Sequence, residues 1–463
     1  MLEIKKEMDR KKKLEIATKR ANYSILSDFG FVVNKEVSRD FQEIKRPAIN
    51  VEEVIRNLRK ELSDEDVKTN LSFCISLGLS VTEACCFRCG YCVYSGQYSN
   101  ERTHSTKRMS FDTARKAVDL FFQTILYKQR TNSARRIHIG FYGGECLMEF
   151  DLVKKTIEYA EQAALKIHLD RRFDLKFRMT TNGFLLDNDR IIDFLAEKNL
   201  LLDVSLDGPE QEHDKFRVTA AGEKTWAKIM ENMRRLKNRH PEYYDANVNY
   251  LVTLHPQHNG KEIDRFFLAN DSLLFNEDKF RYNRVNLIGL DPEEVKRLRK
   301  SAGSPSDIQF QQNCRDLEIK INYNTRDSDT RYTSTCFPGG IKIFIDPDGG
   351  INVCEKMTAD APKIGDVTNG FDFHAIRDMA RKYNEEIIRN RCWECPWWFL
   401  CTVCLAKAFR EGGDCRFDCS VVESNIDFLK NYIEKKEDEE EKDLEQRIDS
   451  GREPTINEFL DNL

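Results

Sequence analysis

Between residues 77 and 290 the chain repeats one arrangement: an apolar run of strand length, a polar stretch, then a segment whose apolar residues recur at helical spacing. The runs at 77–82, 137–142, 174–180, 201–206, 247–254 and 283–290 read as six strands, with amphipathic helices in most of the gaps. Phe111, Ala114, Val118, Phe121, Phe122 and Ile125 show the helical period, because residues three and four apart share one face. Strands alternating with helices pair in parallel through right-handed crossovers. The pattern therefore predicts an α/β domain with a parallel sheet.

The flanks follow other patterns. Charged residues fill the first twenty positions, where a helix is expected; Tyr23 to Leu26 and Phe31 to Asn34 then read as short strands. A helix follows from Val51 to Leu62, with apolar Val51, Val54, Ile55, Leu58 and Leu62. The expected division is an N-terminal α+β extension over 1–72, the repeating core over 73–300, a cysteine-rich domain over 301–433 and a charged tail over 434–463.

Composition narrows the function. A chain of 463 residues is long enough for two or three domains. Its 73 basic and 78 acidic residues argue against a nucleic-acid partner. No run of eighteen apolar residues suggests a membrane span, and no apolar signal core opens the chain, so the expectation is a cytoplasmic protein without a membrane partner. The fifteen cysteines are then expected to be reduced and to bind metal.

Three of those cysteines stand close together after the first strand. In Cys85-Cys-Phe-Arg-Cys-Gly-Tyr-Cys92 the thiols of Cys85, Cys89 and Cys92 suit an iron–sulfur cubane, which three ligands leave with one iron open to a small molecule. Zinc closed by a fourth ligand elsewhere is the alternative for the loop alone. Cys86 is an extra thiol with no assigned role.

This loop, with Tyr91 before its last cysteine, resembles the signature of the radical S-adenosylmethionine (SAM) superfamily. The resemblance implies a partial (β/α)6 TIM barrel in which the open iron binds SAM and one electron releases a 5′-deoxyadenosyl radical. It implies cofactor contacts from Gly143, Gly144 and Glu145 after the second strand, from Asn182 after the third, and from Ser205 and Arg217 at and beyond the fourth. Two glycines let backbone approach a ligand, and a guanidinium suits a carboxylate.

The C-terminal cysteines resemble the SPASM extension of that superfamily, with Cys336-x12-Gly349-x4-Cys354, then Cys392-x2-Cys395-x5-Cys401-x2-Cys404, then Cys415 and Cys419. One spacing departs from the family pattern, x2 for x3 before Cys404. The resemblance implies two auxiliary 4Fe–4S clusters, one on Cys392, Cys395, Cys401 and a terminal cysteine, preferably Cys419, the other on Cys336, Cys354 and Cys404. Cys314 or a substrate thiolate would complete the second. Glu355 is the candidate proton acceptor by analogy with sulfatase maturases.

SPASM relatives mostly modify peptides. The expectation is a maturase of a ribosomally made peptide, leading with a thioether crosslink, reduced by a flavodoxin or ferredoxin, with residues 1–72 as a possible leader-peptide module. Two alternatives stand beside it: an anaerobic sulfatase-maturing enzyme that makes formylglycine, and a multi-zinc interaction module.

Overall fold

The computed structural model describes residues 50–98, 102–127, 135–269, 337–394 and 405–409, three short strands before residue 35, and parts of 275–309 and 414–419. In chain order come β1 (Glu15–Ala17), β2 (Asn22–Ile25), β3 (Val32–Asn34), α1 (Val51–Leu58), α2 (Asp64–Leu71), β4 (Ser76–Thr82), α3 (Phe111–Leu126), β5 (Arg135–Gly143), α4 (Phe150–Lys166) and β6 (Phe173–Thr181). There follow α5 (Asp189–Glu197), β7 (Leu201–Ser205), α6 (Glu210–His213), α7 (Trp226–Arg239), α8 (Pro241–Asn247), β8 (Val248–Leu254), α9 (Gly260–Leu268) and β9 (Phe280–Arg284). Beyond these lie α10 (Pro292–Lys300), β10 (Lys342–Ile345), β11 (Ile351–Asn352) and α11 (Phe373–Arg389).

Eight strands form one sheet in the order β11-β10-β4-β5-β6-β7-β8-β9. All neighbours are parallel except β10 and β11. The six expected strands are β4 to β9, a partial α/β barrel. Its last strand lies earlier than the sequence suggested, because β9 alternates: Phe280 and Tyr282 are buried while Arg281 and Asn283 are exposed. β10 adds a parallel strand from the far side of residue 300, so the sheet crosses the expected boundary there.

Strand residues alternate between two faces. Leu77, Leu79 and Val81 of β4, Ile137 and Ile139 of β5, and Leu202 and Val204 of β7 are inaccessible in the core. α3 contributes Ala114, Val118, Phe121, Phe122 and Ile125 to that core, as its spacing predicts, and Ser110 caps it by accepting from the Thr113 amide. Register places polar side chains together on the opposite face, Thr180 beside Asp203 beside Asn249, and Arg178 Nε donates to Asp203 from the same strand as Thr180.

The expected helix from Val51 ends at Leu58, and a second begins at Asp64 behind a capping box in which Ser63 and Asp66 each accept from the other's amide. Both pack on α11: Asn384 Nδ2 donates to the Leu58 carbonyl at 3.0 Å, and Arg377 pairs with Asp64. Leu71 is buried against Gly339, where an added Cβ would come within 2.7 Å of Leu71 Cδ2. Near the start of the chain β1, β2 and β3 form a three-stranded antiparallel sheet. No helix among the described residues is long and apolar enough to cross a membrane.

Leu71 thus joins the helices before the barrel to the segment that leads into β10. Leu71→Ala should cost about 2–5 kcal/mol, read by urea unfolding. It should speed amide exchange in α11 more than in β5, and equal effects on both would show that the two regions do not open separately.

Candidate active site

The loop 85–92 leaves the carboxyl end of β4 and is held by a facing segment, 216–220. Phe87 bridges Thr219; Arg88 N donates to Val218 O at 2.9 Å, Gly90 N to Phe216 O at 2.8 Å, and Ala220 N to Cys86 O at 3.0 Å. Cys85, Cys89 and Cys92 are half-buried on it. A hydrogen bond with Cys86 and burial push the Cys85 thiol up, burial pushes Cys89 up to about 12, and burial raises Cys92 as well. Cys86 moves the other way, lowered by its bond with Cys85 and by Asn182 Nδ2, which donates to its sulfur at 3.3 Å.

Thiols removed from water in this way ionise only beside a strong positive charge, which is what a metal centre supplies. Among the described residues no three His, Cys, Asp or Glu side chains converge closely enough to hold a single ion. A cubane asks for one thiolate per iron from ligands set around it, and this loop offers three soft donors within eight residues, so the donor set fits.

Gly143 and Gly144 pack against the strand that leads into the loop. Gly143 has φ +135°, and a Cβ there would lie 2.1 Å from the Thr82 carbonyl oxygen; a Cβ on Gly144 would lie 2.1 Å from that of Ala84. Gly144 N donates to Thr82 O and Glu145 N to Ala84 O, each at 2.8 Å. Both positions therefore require glycine for close backbone approach. Glu145 is 1% exposed. One carboxylate oxygen accepts from Leu147 N at 3.0 Å and Thr181 Oγ1 at 2.8 Å, the other from Asn182 N at 2.8 Å. Burial nevertheless raises its pKa above the usual carboxylate range. The carboxylate ties β5 to the end of β6, which leaves the glycine backbone to line the cleft beside it.

Asn182 makes a tight turn, its Oδ1 accepting from Phe184 N at 3.0 Å. Ser205 closes β7 on the same face as Asp203, opposite Leu251 in register. Arg217 is buried in an ion pair, Nε to Asp207 Oδ2 at 2.8 Å, with its guanidinium 5.4 Å from the centre of the Tyr91 ring. Tyr91 OH also donates to Asp207, and Thr253 N donates to the other Asp207 oxygen at 2.8 Å. Burial raises the Tyr91 phenol; burial presses the Asp207 carboxyl upward too, but Arg217, His213, His258 and the Tyr91 hydrogen bond together hold it below its usual range. His213 Nδ1 accepts from Asp207 N at 3.2 Å, and burial lowers its pKa to about 3. His255 and Phe216 complete an aromatic wall, 4.0 Å between ring centres, beside Tyr91.

Glu355 lies next to Cys354, after β11. Its Oε2 is 2.7 Å from Lys342 Nζ. Burial would raise its pKa, but Lys342 holds it below the ordinary range. Cys354 and Cys392 are half-buried, Cys415 is buried and Cys419 exposed. Cys314, Cys336, Cys395, Cys401 and Cys404 lie outside the described residues.

Asp207, His213, His255 and Lys342 are not among the residues that the sequence singled out. An Asp followed by Gly-Pro gives no sign of a buried ion pair. Only the spacing to Arg217, ten residues on with His213 between, hints at it.

The family model of the radical SAM superfamily matches residues 79–268. The cysteine-type anaerobic sulfatase-maturating enzyme of Clostridium novyi is 24% identical over 345 residues, which cover 68% of this chain and 83% of that protein. The serine-type anaerobic sulfatase-maturating enzyme of Bacteroides thetaiotaomicron is 27% identical over 164 residues, 35% of this chain and 36% of that one. Among solved structures, native anSMEcpe with bound AdoMet shares the fold at a TM-score of 0.53 and 16% identity, covering 77% of this chain and 97% of its own. The same enzyme with AdoMet and the Kp18Cys peptide gives 0.50 at 16% identity, over 77% and 96%. These likenesses count against the zinc interaction module. A loop of three soft ligands at the end of the first barrel strand, backed by a glycine pair, stands within the stretch, residues 79–268, that matches the radical SAM superfamily model, and the likenesses indicate an enzyme.

Proposed function

We propose that this enzyme matures a ribosomally made peptide by taking a hydrogen atom from an unactivated carbon, and that its product is a thioether crosslink. The observation that carries the chemistry is the loop of Cys85, Cys89 and Cys92 against Gly143 and Gly144 at the carboxyl ends of adjacent parallel strands. A cluster held by those three thiols would supply the electron that turns SAM into a hydrogen-abstracting adenosyl radical. The protein's share is placement. Tyr91 and Asn182 brace the loop, the Gly143–Gly144 backbone walls the cleft, and Ser205 would add a cofactor contact from the end of β7.

Glu355 would take a proton as the new bond forms; the ion pair with Lys342, which favours an ionised carboxylate, supports the role, since a base must begin deprotonated. Cys354, Cys392 and either Cys415 or Cys419, with Cys336, Cys395, Cys401, Cys404 and Cys314, would carry the auxiliary clusters of a SPASM-like domain. A peptide substrate is supported by the likeness to enzymes that mature sulfatases and, in one structure, carry a bound peptide. Among the described residues the outer strands β1 and β3 pair only with β2, an arrangement that suits leader-peptide docking by strand addition. A flavodoxin or ferredoxin would deliver the electrons. The same likeness favours formylglycine formation as the second reading.

Anaerobic reconstitution should give about twelve irons per chain, and 5′-deoxyadenosine should form under dithionite with the native protein but not with a Cys85/Cys89/Cys92→Ala triple variant. Zinc in place of iron, without SAM cleavage, would sink the proposal. With a cysteine-containing peptide from a neighbouring reading frame, mass spectrometry separates the two readings: a thioether loses two hydrogens and its free thiol, whereas formylglycine reacts with a hydrazide.

The Asp207–Arg217 pair packs on Tyr91, between Cys89 and Cys92 in the loop, so its charges should tune the cluster. Asp207→Asn should raise the midpoint potential of the SAM-binding cluster and Arg217→Gln lower it, each by tens of millivolts, in redox titrations followed by EPR. Shifts of the same sign in both variants would show loop distortion instead.

A further inference from the structure

Gly140 lies inside β5 without a positive φ, between Gly78 of β4 and Arg178 of β6 in register. A Cβ added at Gly78 would lie 2.8 Å from Phe344 Cδ2, so that ring already covers it. At Gly140 an added Cβ would meet only the carbonyl oxygens of Leu77 and Arg178 among the described residues, at 3.8 and 3.9 Å, which is ordinary contact. The fold therefore leaves room for a side chain at Gly140. A glycine inside a strand loosens the backbone and packs nothing, and its use is to let a ligand or another chain come close.

The face that Gly140 shares is polar and open. Arg136, His138 and Tyr142 of β5 and Asp174, Lys176, Arg178 and Thr180 of β6 are exposed or half-buried, whereas Ile137, Ile139, Phe141, Phe177 and Met179 between them are buried. Arg178 gives its Nε to the buried Asp203, yet its side chain is 51% exposed, and no other hydrogen bond from the described residues reaches its terminal nitrogens. Lys176 Nζ and Arg136 Nε share Asp174, at 3.0 and 3.2 Å. Three cations thus stand against two carboxylates. The surplus is positive, and it suits an acidic group.

We propose that the substrate peptide runs along this face in extended form, its backbone passing over Gly140, and that an acidic side chain of the peptide docks on Arg178 and Lys176. This rests on the peptide-maturase reading. With Nε pinned by Asp203, the guanidinium is held in place and presents its terminal donors to a carboxylate. Gly140 stands about 13 Å along β5 from Gly144, at about 3.3 Å per residue. An acid about four residues from the modified position would therefore reach Arg178 while the reacting carbon lies beside the cysteine loop.

The test measures, by fluorescence anisotropy on cluster-loaded protein, the binding of a short labelled peptide with glutamate at alternate positions and of its glutamine counterpart. The native protein should bind the glutamate peptide about tenfold more tightly. Arg178→Gln, which keeps a donor for Asp203, and Lys176→Gln, which leaves Asp174 with Arg136, should each reduce that preference to about threefold. Gly140→Val should weaken both peptides about tenfold by filling the space above the strand, whereas Gly140→Ala should raise the urea midpoint. All four variants should form 5′-deoxyadenosine under dithionite as the native protein does. Equal affinity of the native protein for both peptides, an undiminished preference in both charge variants, native affinity in Gly140→Val, or a lowered midpoint in Gly140→Ala overturns the site while the enzyme reading stands. Native protein that forms no 5′-deoxyadenosine overturns the reading on which it rests.

Discussion

Everything around the cysteine loop converges on one buried carboxylate. Asp207 accepts from a phenol, a guanidinium and a backbone amide, and these three donors belong to the loop that carries the thiols, to the segment that holds that loop, and to the neighbouring strand β8. A buried charge left unpaired is costly, so these three parts are fixed relative to one another or the site does not form. Breaking such a pair from one side harms more than replacing it whole, which makes Asp207 and Arg217 a unit.

A second constraint is steric. Where β4 and β5 run out, their backbones approach so closely that neither Gly143 nor Gly144 has room for a side chain. The register shifts between Ser80 and Thr82 at the same level. The bulge and the glycines together aim the chain outward into the cysteine loop. The carboxylate of Glu145 then locks the arrangement to β6.

The fold was legible because its signals are local. Six apolar runs and the helical spacing of Phe111 to Ile125 encode strands and helices without reference to the rest of the chain, and the thiols of Cys85 to Cys92 are adjacent in sequence. What could not be read is what depends on distant partners. Lys342 lies on a strand whose neighbour is β4, and its bond to Glu355 exists only once β10 and β11 have turned back. Arg217 looked like a free guanidinium because nothing in the sequence says that Asp207 faces it. The strand β9 was misplaced because its half-polar alternation is fainter than the apolar run that follows.

The pairing of β10 with β4 sets an order of events during synthesis. β4 emerges early, but the strand that covers its outer edge comes more than 260 residues later, at Lys342–Ile345. Until then the strand feeding the cysteine loop has an open edge, able to pair with another chain. Contacts this distant in sequence also form slowly. The cysteine loop is thus rooted in a strand whose outer edge is sealed only once β10 has been made, so a nascent chain presents its thiols long before that edge is covered.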